Sequence, residues 1–359
     1  MAGVTQDAVV AALRTVQDPE LHQDLISLGM VRGVSIDGPC VRVHVELTTP
    51  ACPVRETIAR DIQTALRQVA GVEDVQVEFS ARARPGVVPE GELPLVGSVL
   101  AVGAGKGGVG KSTAAVMLAT GLRRRGRAVG LLDADVYGPS IPTLLGIAGR
   151  KPSVRDHRMV PIDAGGLKVM SIGFLVDPTQ PMILRGPVIH GVVKQFLEQV
   201  EWGVLDYLIV DLPPGTGDVP LTLAQSIPVT GAVVICTPQD VALHDARRAI
   251  RMYQHLNVEC LGIIENMSYY LCPKCGHRDE PFNHGGAARA ARELQVPFLG
   301  EIPLNAQVRV LGDEGAPEKL FTDTPDYVRV AIEAVVANVE EQVELRQHAE
   351  SDAPKLTIE

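Results

Sequence analysis

Eight residues constrain this chain more than any others: Gly105-Lys106-Gly107-Gly108-Val109-Gly110-Lys111-Ser112. They fit G-x-x-x-x-G-K-[ST] and sit between a short apolar, β-rich run (Ser98–Val102) and a helical stretch. Glycines let backbone N–H groups converge on phosphate oxygens without side-chain clash. A helix starting near Lys111 adds its positive end. This chemistry assigns Lys111 to the β- and γ-phosphates of ATP and Ser112 to Mg²⁺, with Thr113 beside them at the nucleotide. A loop of this kind needs a strand before it and a helix after it, which commits the chain to an α/β fold.

The residues that follow agree. Apolar runs at Ala128–Asp133, Leu167–Ile172, Tyr207–Asp211, Ala232–Thr237, Leu261–Glu265 and Phe298–Ile302 alternate with helical stretches. Strands apolar on both faces belong in a mostly parallel sheet covered by helices on both sides. The expectation is a P-loop NTPase domain over residues 97–346, ending in a helix from Tyr327 to Arg346, then a polar tail at 347–359. Residues 1–80 read as a separate small α+β domain. Val9, Val10, Leu13 and Val16 have helical spacing, Val31–Ile36 and Val41–Leu47 flank an Asp37-Gly38 turn, Ile58, Ile62, Leu66 and Val69 form a second helical stripe, and Val75–Phe79 reads as a strand. The Pro- and Gly-rich stretch at 81–96 reads as a linker.

Composition removes several classes of function. The 359 residues carry a net charge of -10, which argues against nucleic acid as a partner because phosphate neutralisation needs clustered Lys and Arg. The basic run Arg123-Arg124-Arg125 with Arg127 falls where a helix should end, and it reads as a solvated terminus complementing the helix dipole. No apolar run approaches the roughly 18 residues of a membrane span, so no membrane role is expected. Met1 to Asp7 lack the basic-then-apolar pattern of a secretory signal. Six cysteines in a chain of this length are no disulfide framework, and the Cys272-Pro-Lys-Cys275 spacing suits metal or redox use in a reducing compartment, with the cytoplasm as the expected location.

Acidic residues close two of the strands, at the sheet edge where such folds bind ligands. Asp211, opening Asp211-Leu-Pro-Pro-Gly-Thr-Gly-Asp218, is the candidate to hold Mg²⁺ through water. Asp135 is the candidate to orient the attacking water, with Asp133 supporting the metal shell. Gly215 and Gly217 give the intervening loop freedom to respond to the γ-phosphate. Asn266, in Glu265-Asn-Met-Ser268, carries an amide able to read a base edge.

Lys106 has no evident use within its own subunit. The loop with this extra lysine resembles the deviant phosphate-loop ATPases, the class of the nitrogenase iron protein and of bacterial septum-site and partition ATPases. That resemblance implies that Lys106 reaches the nucleotide of a facing subunit in an ATP-sandwich homodimer, and that Asn266 contacts adenine.

Cys272 and Cys275 can grip one metal centre, yet a tetrahedral Zn²⁺ or a four-iron cluster takes four ligands. The chain has no second pair at this spacing. Cys236 and Cys260 fall in or beside a strand and read as core cysteines. Two subunits would supply four thiolates. From spacing alone, a half zinc ribbon stands at least level with an iron–sulfur site, and a redox pair is a further reading.

Taken in order, Gly105–Ser112, Asp133-Ala-Asp-Val-Tyr-Gly-Pro-Ser-Ile-Pro142, Arg185-Gly-Pro187, Asp211–Asp218, Glu265–Ser268 and Cys272-x-x-Cys275 resemble the Mrp/ApbC-type iron–sulfur carrier ATPases over about residues 97 to 320. The resemblance implies a bridging [4Fe–4S] cluster on Cys272 and Cys275, weak ATPase activity, and transfer to apo iron–sulfur clients, with a cluster assembly scaffold as a further partner. One departure is visible: the family commonly has Phe-Gly after the cysteines, where this chain has Phe282-Asn283-His284 before Gly285-Gly286. His284 receives no role. Asp18-Pro-Glu20, Asp24-Leu-Ile-Ser-Leu-Gly29 and Thr48-Thr-Pro-Ala-Cys52-Pro53 resemble the small domain fused to such ATPases and found alone in iron–sulfur assembly factors. Cys52, placed at a helix start by Pro53, is either a thiolate that meets a cluster or a small cap residue.

Three rivals differ in what they require. A septum-site or partition ATPase wants a basic C-terminal amphipathic helix or basic face, whereas Glu340, Glu341, Glu344, Glu350, Asp352 and Glu359 make this end acidic. An electron donor like the nitrogenase iron protein would carry widely separated cluster cysteines. A zinc-bridged dimeric ATPase would use the same four thiolates.

Overall fold

In the computed structural model, residues 6–16, 24, 26, 31–37, 39–47, 55–69, 71–72, 74–81, 95–135, 138–175, 186–215, 219–221, 223 and 229–351 are described. The chain divides into two compact units, one built on Met1–Gly86 and the other on Val87–Arg346.

The amino-terminal unit contains α1 (Gln6–Leu13), β1 (Val31–Asp37), β2 (Cys40–Leu47), α2 (Arg55–Leu66) and β3 (Asp74–Ala81). The strands form one sheet in the order β1-β2-β3, with β1 antiparallel and β3 parallel to β2. Val41, Val43 and Val45 alternate into the core, as period-2 strand geometry demands, and meet Val9, Leu13, Ile62 and Leu66 from the helices. Cys52 and the rest of 48–54 lie outside the described residues, as do residues 17–20 and 82–94.

The larger unit runs β4 (Val96–Gly103), α3 (Lys111–Arg124), β5 (Val129–Asp133), α4 (Ile141–Leu144), β6 (Ser153–Arg155), β7 (Arg158–Val160), β8 (Ile162–Ala164), β9 (Leu167–Ser171) and α5 (Gly186–Gln199). It continues through β10 (Leu205–Asp211), β11 (Gly231–Cys236), α6 (Asp240–His255), β12 (Cys260–Leu271), β13 (Arg278–Asp279), α7 (Gly286–Leu294), β14 (Phe298–Leu304), α8 (Ala306–Asp313) and α9 (Asp326–Ser351). The central sheet is ordered β13-β12-β11-β4-β10-β5-β9-β8, with β14 also on β12. All pairings are parallel except β8 with β9 and β13 with β12. β4, β10 and β11 bury nearly every residue, which explains their unbroken apolar runs.

Three details differ from the sequence reading. β12 does not stop at Glu265 but continues to Leu271, so Asn266 lies inside the strand rather than beyond its end. The last helix continues beyond Arg346 to Ser351, because Gln347-His-Ala-Glu contains no helix breaker. The basic run is also not a merely solvated helix end. Arg125 Nε and Arg127 Nε each lie 2.5 Å from a carboxylate oxygen of buried Glu340 on α9, while Arg123 and Arg124 pair with Glu318.

Candidate functional site

β4 ends at Gly103 and α3 begins at Lys111, leaving Ala104–Gly110 as the turn between them. Gly108 and Gly110 hold left-handed φ values of 79° and 82°, a conformation that side chains resist. A Cβ on Gly110 would meet Asn266 Nδ2 at 2.2 Å, and one on Gly105 would meet the Asp245 backbone at 2.1 Å, so the loop is clamped between β12 and α6. Val109 is buried, and its carbonyl accepts a 2.8 Å hydrogen bond from Asn266 Nδ2. Lys106 Nζ lies 3.4 Å from Gln239 Oε1, just ahead of α6. Gly107 packs near Pro214.

Parallel register brings the acidic residues together. Asp211 stands opposite Asp133 at the ends of β10 and β5. Lys111 Nζ donates to Asp211 Oδ1 at 2.7 Å, lies 3.4 Å from Asp135 Oδ2, and reaches Ser112 Oγ at 3.3 Å. Burial pushes the Asp211 carboxyl up, against the pull of Lys111. Burial and the neighbouring Asp211 push Asp133 up to about 8. Asp133 is already engaged: it accepts from Ser171 Oγ at 2.8 Å and from the backbone N–H groups of Asp135 and Ile141. Its carboxylate thereby fixes the backbone around Asp135.

Asp211 Oδ2 is different, being buried with no hydrogen-bond partner. An orphaned carboxylate oxygen beside the Ser112 hydroxyl is a donor set that suits a hard, oxygen-seeking dication such as Mg²⁺. After Asp211 the chain returns to the loop, with Gly215 N donating to Ala104 O at 2.8 Å. Gly217 and Asp218 lie outside the described residues, as do Arg185 and Val136–Tyr137.

A cavity of about 230 Å³ opens beside the phosphate loop. Gly110, Thr113 and Asn266 line it on the loop side, and Pro303, Leu304 and Val308 line it on the far side. An apolar cleft next to a cluster of backbone donors suits a flat base and its sugar.

The cysteines lie beyond the far end of the same strand. β12 and β13 form a hairpin, with Tyr270 paired to Asp279 and Leu271 to Arg278. Its turn holds Cys272 and Cys275, closed by Cys272 N to His277 O and Gly276 N to Cys272 O, both 2.9 Å. Cys275 is exposed. The backbone N–H groups of Lys274 and Cys275, then the Cys275 thiol, hold the Cys272 thiol below its usual range, which favours a metal-ligating thiolate. Cys236 and Cys260 are buried, and burial pushes both thiols up to about 12, so they belong to the core.

Comparison with known proteins matches residues 95–340 to the NUBPL iron-transfer P-loop NTPase family. The chain belongs to this family. Residues 6–79 match a second family, iron–sulfur cluster assembly protein. Relatives named iron–sulfur cluster carrier protein include one from Deinococcus radiodurans, 48% identical over 96% of this chain and 97% of its own length. Another, from Synechocystis sp., is also 48% identical, over 88% of this chain and 91% of its own. Among solved structures, a nucleotide-binding protein from Archaeoglobus fulgidus in complex with ADP is 41% identical, with a TM-score of 0.58 over 67% of this chain and 93% of that one. The Pyrococcus furiosus cell division ATPase MinD, 20% identical with a TM-score of 0.51 over 68% of this chain and 99% of its own, shares the fold.

Within this family frame, three groups of residues escape the sequence reading. Gln239 engages Lys106, and the Pro303–Val308 wall of the cavity comes from the strand-to-helix turn after β14. Their only sequence signal is the helix-starting Asn305, whose side chain accepts from Gln307 N. The third group is Glu265, His284 and Glu301, whose ligand atoms lie within 4.8 Å of one another. Fully buried Glu265 spends both oxygens on α7, accepting from Gly285 N at 2.9 Å and Ala287 N at 2.7 Å, with Ser268 Oγ at 2.6 Å. These bonds tie Glu265 to the start of α7, and through Ser268 and Glu301 a hydrogen-bond chain runs from it to His284.

Proposed function

We propose that this protein is an ATP-dependent iron–sulfur carrier. Two copies hold one [4Fe–4S] cluster between their Cys272 and Cys275 thiolates, and the cluster is cargo passed to apo-proteins. The observation that carries the reading is the placement of the Cys272/Cys275 pair, with Cys272 held towards the thiolate, in the turn that follows the strand whose middle touches the phosphate loop. Two thiols per chain leave a four-iron cluster half-ligated, so a second subunit completes it.

The nucleotide end follows from the same residues. ATP would lay its base in the cavity lined by Asn266 and Thr113, with its phosphates on the N–H groups of Gly105 to Ser112. Lys111, which pairs with Asp211 and Asp135, would turn to the phosphates. Mg²⁺, held by Ser112 and through water by Asp211, would neutralise phosphate charge. Asp135 would orient a water for slow hydrolysis, with Asp133 fixing its backbone. Lys106 would leave Gln239 for the nucleotide of the facing subunit. The family, and the carrier name borne by relatives with near-complete coverage, support this reading over a spatial-organising ATPase.

Anaerobic purification followed by iron, sulfide and zinc analysis tests it. The expected result is about four irons and four sulfides per dimer. Cys272→Ala should abolish iron binding while ATP still binds. Stoichiometric zinc with no sulfide, or iron retained by Cys272→Ala, would overturn the assignment.

A further inference from the structure

β12 and β14 pair in register through Glu265 with Glu301 and Asn266 with Ile302, and the next pair is Tyr270 with Leu304. Four steps on β12 thus oppose two on β14, a bulge that Met267 accommodates with a φ of 57°. The bulge folds Ser268 back until its hydroxyl lies 2.6 Å from Glu265 Oε1 and 3.1 Å from Glu301 Oε2. Glu301 also meets His284 Nε2 at 2.6 Å.

His284 therefore stands between two working parts of the molecule. On one side it holds Glu301, the residue before Ile302 and Pro303 of the nucleoside cavity. On the other its ring meets Tyr269 edge-on, 6.5 Å between centroids at 69°. The Arg278 guanidinium stacks over the same tyrosine at 4.0 Å, and Arg278 opens the returning strand of the cysteine hairpin. Glu280 closes the circuit, 3.3 Å from Arg278 Nε and 3.9 Å from His284 Nδ1.

We infer that His284 is a positioning residue for the Cys272/Cys275 hairpin, setting its direction against the nucleoside cavity through Glu301 and Tyr269. This role rests on the reading that the hairpin holds the cluster. From Tyr269 to Cys272 the strand makes a lever of about 10 Å at ~3.3 Å per residue. A tilt of about 10° at its base moves the thiols by about 2 Å, several times the ~0.5 Å tolerance of a preorganised site. Two hairpins meeting across a dimer double the demand.

The test uses the full-length chain reconstituted anaerobically with iron and sulfide, as wild type, His284→Leu and His284→Gln. Leucine fills much of the space without a donor, whereas glutamine restores an N–H for Glu301. The readouts are iron and sulfide content, the EPR spectrum of the reduced cluster, and stripping by an iron chelator with and without Mg-ATP. All three proteins should bind ATP within about twofold of one another, a check on folding as well as on independence. His284→Leu should lose iron about tenfold faster with an altered EPR signal, as expected when a residue that orients metal ligands is removed. His284→Gln should return close to wild type. Equal stripping and identical spectra in His284→Leu, or equal defects in both variants, would overturn the role of His284 while leaving the cysteine assignment intact. Iron that survives Cys272→Ala would instead overturn the cluster reading and this role with it.

Discussion

At the scale of single residues, the nucleotide site is a charge compromise. One buried lysine, Lys111, faces three acids, and Asp133 and Asp211 are both raised from the usual carboxylate range. The sign of the resulting pH dependence is definite. A carboxyl raised in the folded state binds its proton more tightly there than in the unfolded chain, so its contribution is full at acid pH and is lost as pH rises towards about 8. Without nucleotide and with EDTA present, Asp133→Asn should flatten the fall in stability between about pH 4 and pH 8, a fall limited to ~1.4 kcal/mol per pH unit for one proton. Denaturant midpoints across that range check it, and parallel slopes in both proteins would count against the buried-acid picture. Lys111→Ala removes the counter-charge as well as the phosphate contact. It should abolish measurable ATP binding by calorimetry.

Helices and strands are tied by contacts of long sequence separation. Glu340 on α9 receives Arg125 and Arg127 from the end of α3, more than 200 residues earlier. Because this carboxylate is buried and its partners are half-exposed, Glu340→Ala should cost about 1–3 kcal/mol in urea unfolding, and less at high salt. This contact also marks where the sequence becomes opaque. The phosphate loop, the strand-end acids and the cysteine pair are legible because their chemistry is packed into short segments with fixed spacing. The run Arg123 to Arg127 looks like a solvated terminus because nothing local announces Glu340. Asn266 falls beyond the strand read at Leu261–Glu265 because a bulge, unlike a break, has no compositional mark. His284 looks idle because Tyr269 and Glu301 reach it only through tertiary packing.

For the molecule as a whole, the decisive quantity is how many chains make one working unit. Lys106→Ala should bind ATP with little change, since Lys106 rests on Gln239 rather than on the Lys111 cluster. It should fail to sediment as a dimer with Mg-ATP and should lose hydrolysis. A wild type that stays monomeric with saturating ATP would remove the shared-site proposal. The cysteine turn is the feature with the widest consequence. It forms the turn of a hairpin with Cys275 exposed, so on the proposed reading a cluster there would lie at the surface of each subunit. Hand-over would then need no unfolding of the donor, only the parting of two hairpins before a recipient offering better ligands. The same exposure would leave an unloaded pair open to oxygen, so such a delivery mode would work only where reductant is replenished faster than the thiols are consumed.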